Sequence, residues 1–359
     1  MVFDDINKPD IIISDIEVTS FHNKMDPGEI IEDLIKGKYV LIEDFYFNGL
    51  QVLEELKKFL KSNYVNHNYQ GQRQYRSAFR NASHRLLLMV VDNKLQVRKA
   101  PEIGWLKILY PEVSEFLISF PDVQGLNSSW QWYQNGIDIK ILNLQIHPFF
   151  GIYFPTRFDH LQLFDKWLRS YKGTKKNAID VGIGSGVLSF QLLQNGFSEV
   201  LGTDSNKNAI IGTAQESERL GFSNRLSLKH GDLFANCDFK ADLIVFNPPW
   251  LIAKHELGEG IDKAIYYEAD LFPRFFEQAK QHLEKEGKLV LLFSNLAEIV
   301  EVDDVHPILD ELNKYDRFKK ELHMQQSVKP SSKKTKRKNW RKNEKVELWV
   351  LIHNKGKVN

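Results

Sequence analysis

The sequence predicts an α/β protein, built on a doubly wound Rossmann-like seven-stranded sheet that ends in an antiparallel pair, with an additional N-terminal α/β or α+β domain. Three observations predict it. From about residue 136, short apolar strands alternate with helix-patterned segments. A glycine-rich turn, "AIDVGIGSGVLS", joins the first strand of the clearest stretch to its helix. The 359 residues also exceed one typical domain. The expected division is 1–135 and 136–359.

Taken in order, residues 27–62 read as helical, because "PGEIIEDLIKGKY" and "NGLQVLEELKKFLKSNY" space apolar residues three and four apart. "NHNYQGQRQYRSAFRNASHR" is polar, aromatic and basic, without clear periodicity. "RLLLMVVDNKLQVRKA" suggests a hairpin about Asp92-Asn93, and 101–135 carries no assignable pattern. Beyond it, "IDIKILNLQI" alternates like one strand and "DHLQLFDKWLRSY" repeats like a helix. "NAIDV", "SEVLGTD", "RLSLKHGD", "ADLIVFNPP" and "KLVLLF" then read as strands. Interleaved with them are helices at "GVLSFQLLQNG", "NKNAIIGTAQESERLG" and "YYEADLFPRFFEQAKQHLEKEG". Such units build a parallel sheet with helices on both faces. "RFKKELHMQQSV" and "KVELWVLIH" supply the closing antiparallel pair.

Composition narrows the function. Cys237 is the only cysteine, so an intramolecular disulfide and a cysteine-rich zinc site are both excluded, and no metal site is expected. A reducing, cytoplasmic setting is the simplest fit. No apolar run approaches the roughly 20 residues that span a bilayer, and the acidic start "MVFDDINKPD" lacks the features of a signal peptide, so no membrane association is expected. The net charge of +1 hides a segregation. Seven Lys/Arg and no acid fall between Lys57 and Val91, and residues 329–345 carry nine Lys/Arg against one Glu. Nothing in the sequence fixes the oligomeric state.

The glycine-rich turn holds Gly182, Gly184 and Gly186 after Asp180. Glycines there let a ligand approach the backbone at a helix N-terminus. The spacing is G-x-G-x-G, whereas the dinucleotide fingerprint is G-x-G-x-x-G. Asp204 ends the next strand, about 20 residues on, where a carboxylate can take both hydroxyls of a ribose; the alternative is that it caps the following helix. Asp232 and Leu233 follow the third strand in "KHGDLF", where a side chain and neighbouring amides can read an adenine edge, although Gly-Asp is also ordinary turn material. The fourth strand runs into Asn247, Pro248, Pro249 and Trp250. Two prolines stop a strand. The whole tetrapeptide can do more: amide and backbone carbonyls accept both hydrogens of a planar NH2, and the indole lies against that group.

In order and spacing these motifs resemble the class I S-adenosylmethionine-dependent methyltransferases, and within them the small-domain group whose fourth strand ends in Asn-Pro-Pro-aromatic. That group methylates the exocyclic amine of adenine in nucleic acid or the side-chain amide of glutamine in proteins. The resemblance covers roughly 136–353, while 1–135 matches no named family. It implies S-adenosylmethionine as cofactor, with Asp180, Gly182, Gly184 and Gly186 around its methionine part, Asp204 on its ribose, and Asp232 with Leu233 at its adenine. Phe154, Pro155, Thr156 and Arg157 fall where relatives carry a loop over the cofactor. Asn247, Pro248, Pro249 and Trp250 would hold the acceptor nitrogen, Asn247 also bordering the cofactor. Trp250 replaces the commoner Tyr or Phe, which leaves target choice open.

The expected acceptor is an adenine amine in structured RNA; the alternative is a glutamine amide of a translation factor or ribosomal protein, recognised by 1–135. RNA is favoured by the basic segment 57–85, where Lys57, Lys58, Lys61, Arg73, Arg76, Arg80 and Arg85 are interleaved with Tyr64, Tyr69, Tyr75 and Phe79, and by 329–345. The bland alternative for both segments is a solvated face. A dehydrogenase on the same sheet would explain the glycines and Asp204 but not Asn-Pro-Pro-Trp. An inactive RNA-binding module would leave the intact motif set without a purpose.

Overall fold

A strand interrupts the segment expected to be helical from 27 to 62. In the computed structural model, which describes residues 6–63, 69–253, 265–299, 305–328 and 343–354, the chain divides into two units, Met1–Gln134 and Asn135–Asn359. The first begins with β1 (Ile11–Ile12) and β2 (Val18–Phe21), then α1 (Pro27–Ile35). Asp26 caps α1, its Oδ1 accepting the Gly28 amide at 2.9 Å. Gly37, at φ +91°, then turns the chain into β3 (Tyr39–Ile42), whose Val40 and Ile42 are buried. Helical spacing in the flanking segments concealed this four-residue strand.

After β3 come α2 (Tyr46–Asn63), α3 (Tyr69–Ser83), β4 (Leu86–Val91), β5 (Lys94–Leu95), α4 (Trp105–Leu109), β6 (Glu115–Ser119) and α5 (Phe120–Asn135). The sheet order is β1-β6-β4-β3-β2, with β5 paired to β4. Asp92 and Asn93 both have positive φ, as a two-residue type I′ hairpin turn requires. The aperiodic basic segment is in fact helix α3. On it Tyr75 and Phe79 stack at 6.4 Å, four residues apart, and Lys57 of α2 lies 5.7 Å from the Phe79 ring centre.

The second unit starts with a hairpin of β7 (Ile137–Ile139) and β8 (Leu144–Ile146) where one strand was expected. Asn143 at φ +50° helps turn the chain between them. Next come α6 (Asp159–Ser170), β9 (Asn177–Val181), α7 (Val187–Gln194), β10 (Glu199–Asp204), α8 (Lys207–Arg219), β11 (Leu226–His230) and β12 (Ala241–Phe246). A short pair, β13 (Leu251–Ile252) and β14 (Tyr266–Tyr267), precedes α9 (Leu271–His282), β15 (Leu283–Ser294), α10 (Leu296–Ile299), α11 (Pro307–Lys314), β16 (Phe318–Ser327) and β17 (Lys345–His353). The helix expected to continue through Gly287 stops at His282. There the chain enters the sheet, Leu283 pairing with Ala241 and Lys288 with Leu243 across an irregularity in register.

Seven strands lie in the order β11-β10-β9-β12-β15-β17-β16. The first five are mutually parallel, and β17 and β16 close the sheet antiparallel, as the sequence predicts. Neighbouring strand residues feed opposite faces. Ala178, Leu243 and Val245 join the core beneath α6 and α7, while Ile179, Ile244 and Phe246 join the core beneath α9. Burial on both faces explains why these strands read as continuous apolar runs. No helix among the described residues is long and apolar enough to cross a membrane.

Candidate functional site at the carboxyl edge of the sheet

Register brings three candidate residues side by side. Val181 pairs with Thr203 on one flank and Phe246 on the other, so the next residues of three adjacent strands are Gly182, Asp204 and Asn247. The chain also reverses its direction of travel at β9: β10 and β11 lie to one side and β12 to the other. Open α/β sheets bind ligands at such a switch point, beyond the carboxyl ends of the strands.

The glycine turn is held by hydrogen bonds at both ends. Gly182, Gly184 and Gly186 all have positive φ. At Gly186, φ is +78° and a Cβ would stand 2.7 Å from Thr213 Cγ2 on α8, so a side chain there is opposed by both backbone and space. The Gly184 amide donates to Asp204 Oδ2 at 2.9 Å, and its carbonyl accepts from Thr213 Oγ1 at 2.9 Å. Asp204 Oδ1 takes the Asn206 amide at 2.8 Å. Asn206, not Asp204, caps α8, accepting from the Asn208 amide at 3.0 Å. Burial pushes the Asp204 carboxyl up, and these two backbone donors oppose that rise.

Asp180 is 1% exposed. Ser189 Oγ on α7 donates to its Oδ2 at 2.7 Å, while Oδ1 is buried without a hydrogen-bond partner among the described residues. Burial raises this carboxyl to about 7, against an ordinary 3.8; the Ser189 bonds counter the rise and nearby Asp204 adds to it. A buried acceptor left unsatisfied at the foot of a glycine turn fits a ligand carrying an ammonium group.

Asp232 and Leu233 lie just past β11. The Asp232 carboxylate is exposed and ion-paired with Arg274 of α9, a partner the sequence did not point to. Leu233 is buried at φ +49°, and its carbonyl accepts from Thr203 Oγ1 at 2.6 Å, which fixes this sparsely populated conformation beside β10.

Across the switch point, Trp250 Nε1 donates to Asn247 Oδ1 at 3.2 Å. Pro248 is buried and Pro249 half-buried. The indole packs partly against both cores, and His160 of α6 meets it edge to face, with centroids 5.9 Å apart and planes at 88°. Burial drops His160 to about 4, so the imidazole is neutral.

Residues 154–157 approach from the chain before α6. Phe154 packs against the core, Pro155 is buried and Thr156 is exposed. Arg157 is engaged by Glu344, with Nη1 at 3.1 and 3.0 Å from the two carboxylate oxygens. Sequence reasoning missed the residues that anchor this segment. Asn206 Nδ2 donates to the Gly151 carbonyl at 2.9 Å, Asn208 Nδ2 to Phe150 at 2.8 Å, and Glu216 accepts the His147 amide at 3.0 Å. The segment is thus laced to the helix that follows Asp204. Two asparagines just after Asp204 were the available signal.

A family model, Methyltransferase small domain, matches residues 151–319. A Methanocaldococcus jannaschii protein named for N5-glutamine methyl transfer to protein is 30% identical over 167 residues, which cover 45% of this chain and 80% of that one. A ribosomal protein L11 methyltransferase of Thermosipho africanus is 33% identical over 114 residues, covering 32% of this chain and 42% of the relative, so the match spans less than half of that protein. Among solved structures, a ribosomal protein L11 methylase of Lactobacillus delbrueckii subsp. bulgaricus shares 18% identity at a TM-score of 0.40, over 57% of this chain and 82% of that one.

Proposed function

This chain belongs to the methyltransferase small-domain family and is an S-adenosylmethionine-dependent methyltransferase; on that premise we propose that it methylates the NH2 nitrogen of a side-chain amide in a protein. The observation that carries the reading is Asn247 at the end of β12, beside the glycine turn, with Pro248 next and Trp250 bonded back to it. The cofactor, when bound, supplies an electrophilic methyl group. Asp180 offers its unsatisfied Oδ1 to the cofactor's ammonium, and the turn at Gly182, Gly184 and Gly186 gives its amino-acid end room. Asp204 takes the ribose, while Asp232 and Leu233 border the adenine. Residues 154–157 cover the site from the side laced to α8.

An amide nitrogen is a poor nucleophile, because its lone pair is delocalised into the carbonyl. Asn247 Oδ1 and the Pro248 carbonyl would accept its two hydrogens and turn the lone pair out of conjugation toward the methyl group; as the methyl passes from sulfur to nitrogen, the nitrogen gives up one hydrogen as a proton to solvent. Trp250 holds the plane of the group by stacking. Positioning and electrostatics then carry the rate, without a covalent enzyme intermediate.

The choice of a protein acceptor rests on the relatives, both of which are named for protein substrates. A second reading, an adenine amine in RNA, has its own support in α2 and α3. There Arg76 and Arg80 are exposed beside the Tyr75–Phe79 stack, with Lys57 against it and Lys61 nearby. Under either reading the first unit recognises the substrate. Label transferred from S-adenosylmethionine into extract lacking this protein, then divided by protease and ribonuclease, tests the choice. Counts lost to protease are expected; counts lost to ribonuclease alone move the assignment to the adenine amine.

A further inference from the structure

We infer that His160 is a positioning residue of the acceptor site, setting the plane of Trp250 while an acceptor is bound. The inference rests on the reading of Asn247 and Trp250 given above. It starts from a buried imidazole that the chemistry so far has not used. His160 sits in the first turn of α6 and is 5% exposed. Among the described residues its one aromatic contact is the perpendicular one with Trp250.

Besides its packing against both cores, Trp250 has two directional restraints. One is polar, from its Nε1 to Asn247 Oδ1, and the other is the His160 ring. An acceptor NH2 bonding to Asn247 Oδ1 competes for the same oxygen. As it does, the polar restraint weakens and the perpendicular ring becomes the remaining directional contact on the indole, beside its packing against the two cores. His160 comes from α6 and Trp250 from the chain after β12, so the contact also ties the start of α6 to the acceptor motif.

The protein labelled with 5-fluorotryptophan provides a readout that needs no acceptor. It has seven tryptophans, and the fluorine line lost in Trp250→Phe identifies Trp250. His160→Ala should shift or broaden that line while leaving S-adenosylhomocysteine affinity unchanged. Transfer of label into extract should fall about two- to tenfold, the scale of one aromatic pair. His160→Phe, which keeps the ring, should restore both the line and the transfer. An unmoved Trp250 line in His160→Ala, a His160→Phe as impaired as His160→Ala, or an equal loss of S-adenosylhomocysteine affinity would each overturn the inference. If His160→Ala does not fold, His160→Leu replaces it in the same comparison. Failure of the underlying acceptor reading shows itself separately, as full transfer by Asn247→Ala.

Discussion

Replacing Asp180 by Asn should make the cofactor-free protein more stable at pH 8 and less able to bind cofactor. Burial holds this carboxyl at about 7, against an ordinary 3.8. Because the folded state binds the proton more tightly than the unfolded one, its contribution is fully present below pH 3.8 and is lost as pH rises to 7. At about 1.4 kcal/mol per pH unit, the loss is on the order of 4 kcal/mol above pH 7. Asn carries no charge and can still accept from Ser189, but its amide leaves a buried donor unpaired at a cost of about 1–3 kcal/mol. The variant should therefore gain about 1–3 kcal/mol at pH 8, a rise of a few degrees in Tm, and lose stability below about pH 4, where the wild-type carboxyl is protonated in both states. Cofactor binding follows the opposite rule, because the ammonium requires the carboxylate. Wild-type affinity for S-adenosylhomocysteine should fall about tenfold from pH 8 to pH 6, with proton release on binding near pH 7, and the variant should bind weakly at both. Calorimetry in buffers of different ionisation enthalpy reads the proton directly. Affinity flat between pH 6 and 8, together with no gain in Tm for Asp180→Asn at pH 8, would refute the reasoning.

Other perturbations follow from the same geometry. Asn247→Ala should reduce transfer at least about a hundredfold while S-adenosylhomocysteine still binds, by calorimetric titration; equal loss of both would move Asn247 into the cofactor site. Asp204→Ala should instead weaken cofactor binding itself, since both its oxygens organise the glycine turn and the start of α8. Gly186→Ala should destabilise the protein by about 1–3 kcal/mol, because its φ is +78° and a Cβ would stand 2.7 Å from Thr213 Cγ2; an unchanged melt would contradict it. Acidification from pH 6.5 to 4 should cost about 1.4 kcal/mol per unit through His160. Its folded value of about 4 lies below the ordinary 6.5, so the unfolded chain takes the proton first. His160→Phe should remove that cost, so the variant gains stability relative to the wild type as pH falls from 6.5 to 4, while the opposing Asp180 contribution remains in both.

The sheet of the second unit was legible because its parallel strands are buried on both faces and end in residues with their own signatures. Gly182, Asp204, Asp232 and Asn247 each mark a strand end, and register alone then sets Gly182, Asp204 and Asn247 side by side. The first unit was harder to read. β3 is four residues between two amphipathic helices, and α3 has so many polar positions that its period was lost until Tyr75 and Phe79 stacked. The strand expected from 137 to 146 is a hairpin, since Asn143 turns it while the alternation on either side persists. Partners distant in sequence stayed invisible. Arg274 for Asp232, Glu344 for Arg157 and His160 for Trp250 lie 42, 187 and 90 residues away, and no local pattern records such pairings. The basic stretch 329–342 lies outside the described residues.

The central claim, that methyl goes to an NH2 nitrogen joined to a carbonyl, is tested most directly by the chemical form of the product. Protein from extract labelled by the wild-type enzyme, and in parallel by Asn247→Ala, would be hydrolysed in hot acid and the volatile amine collected. Hydrolysis of an N-methyl amide breaks the bond between carbonyl and nitrogen and releases labelled methylamine. The account predicts labelled methylamine from the wild-type reaction and none from Asn247→Ala. Label that instead stays on carbon, on oxygen as released methanol, or on the amine of lysine, or that survives the Asn247 change, would contradict it.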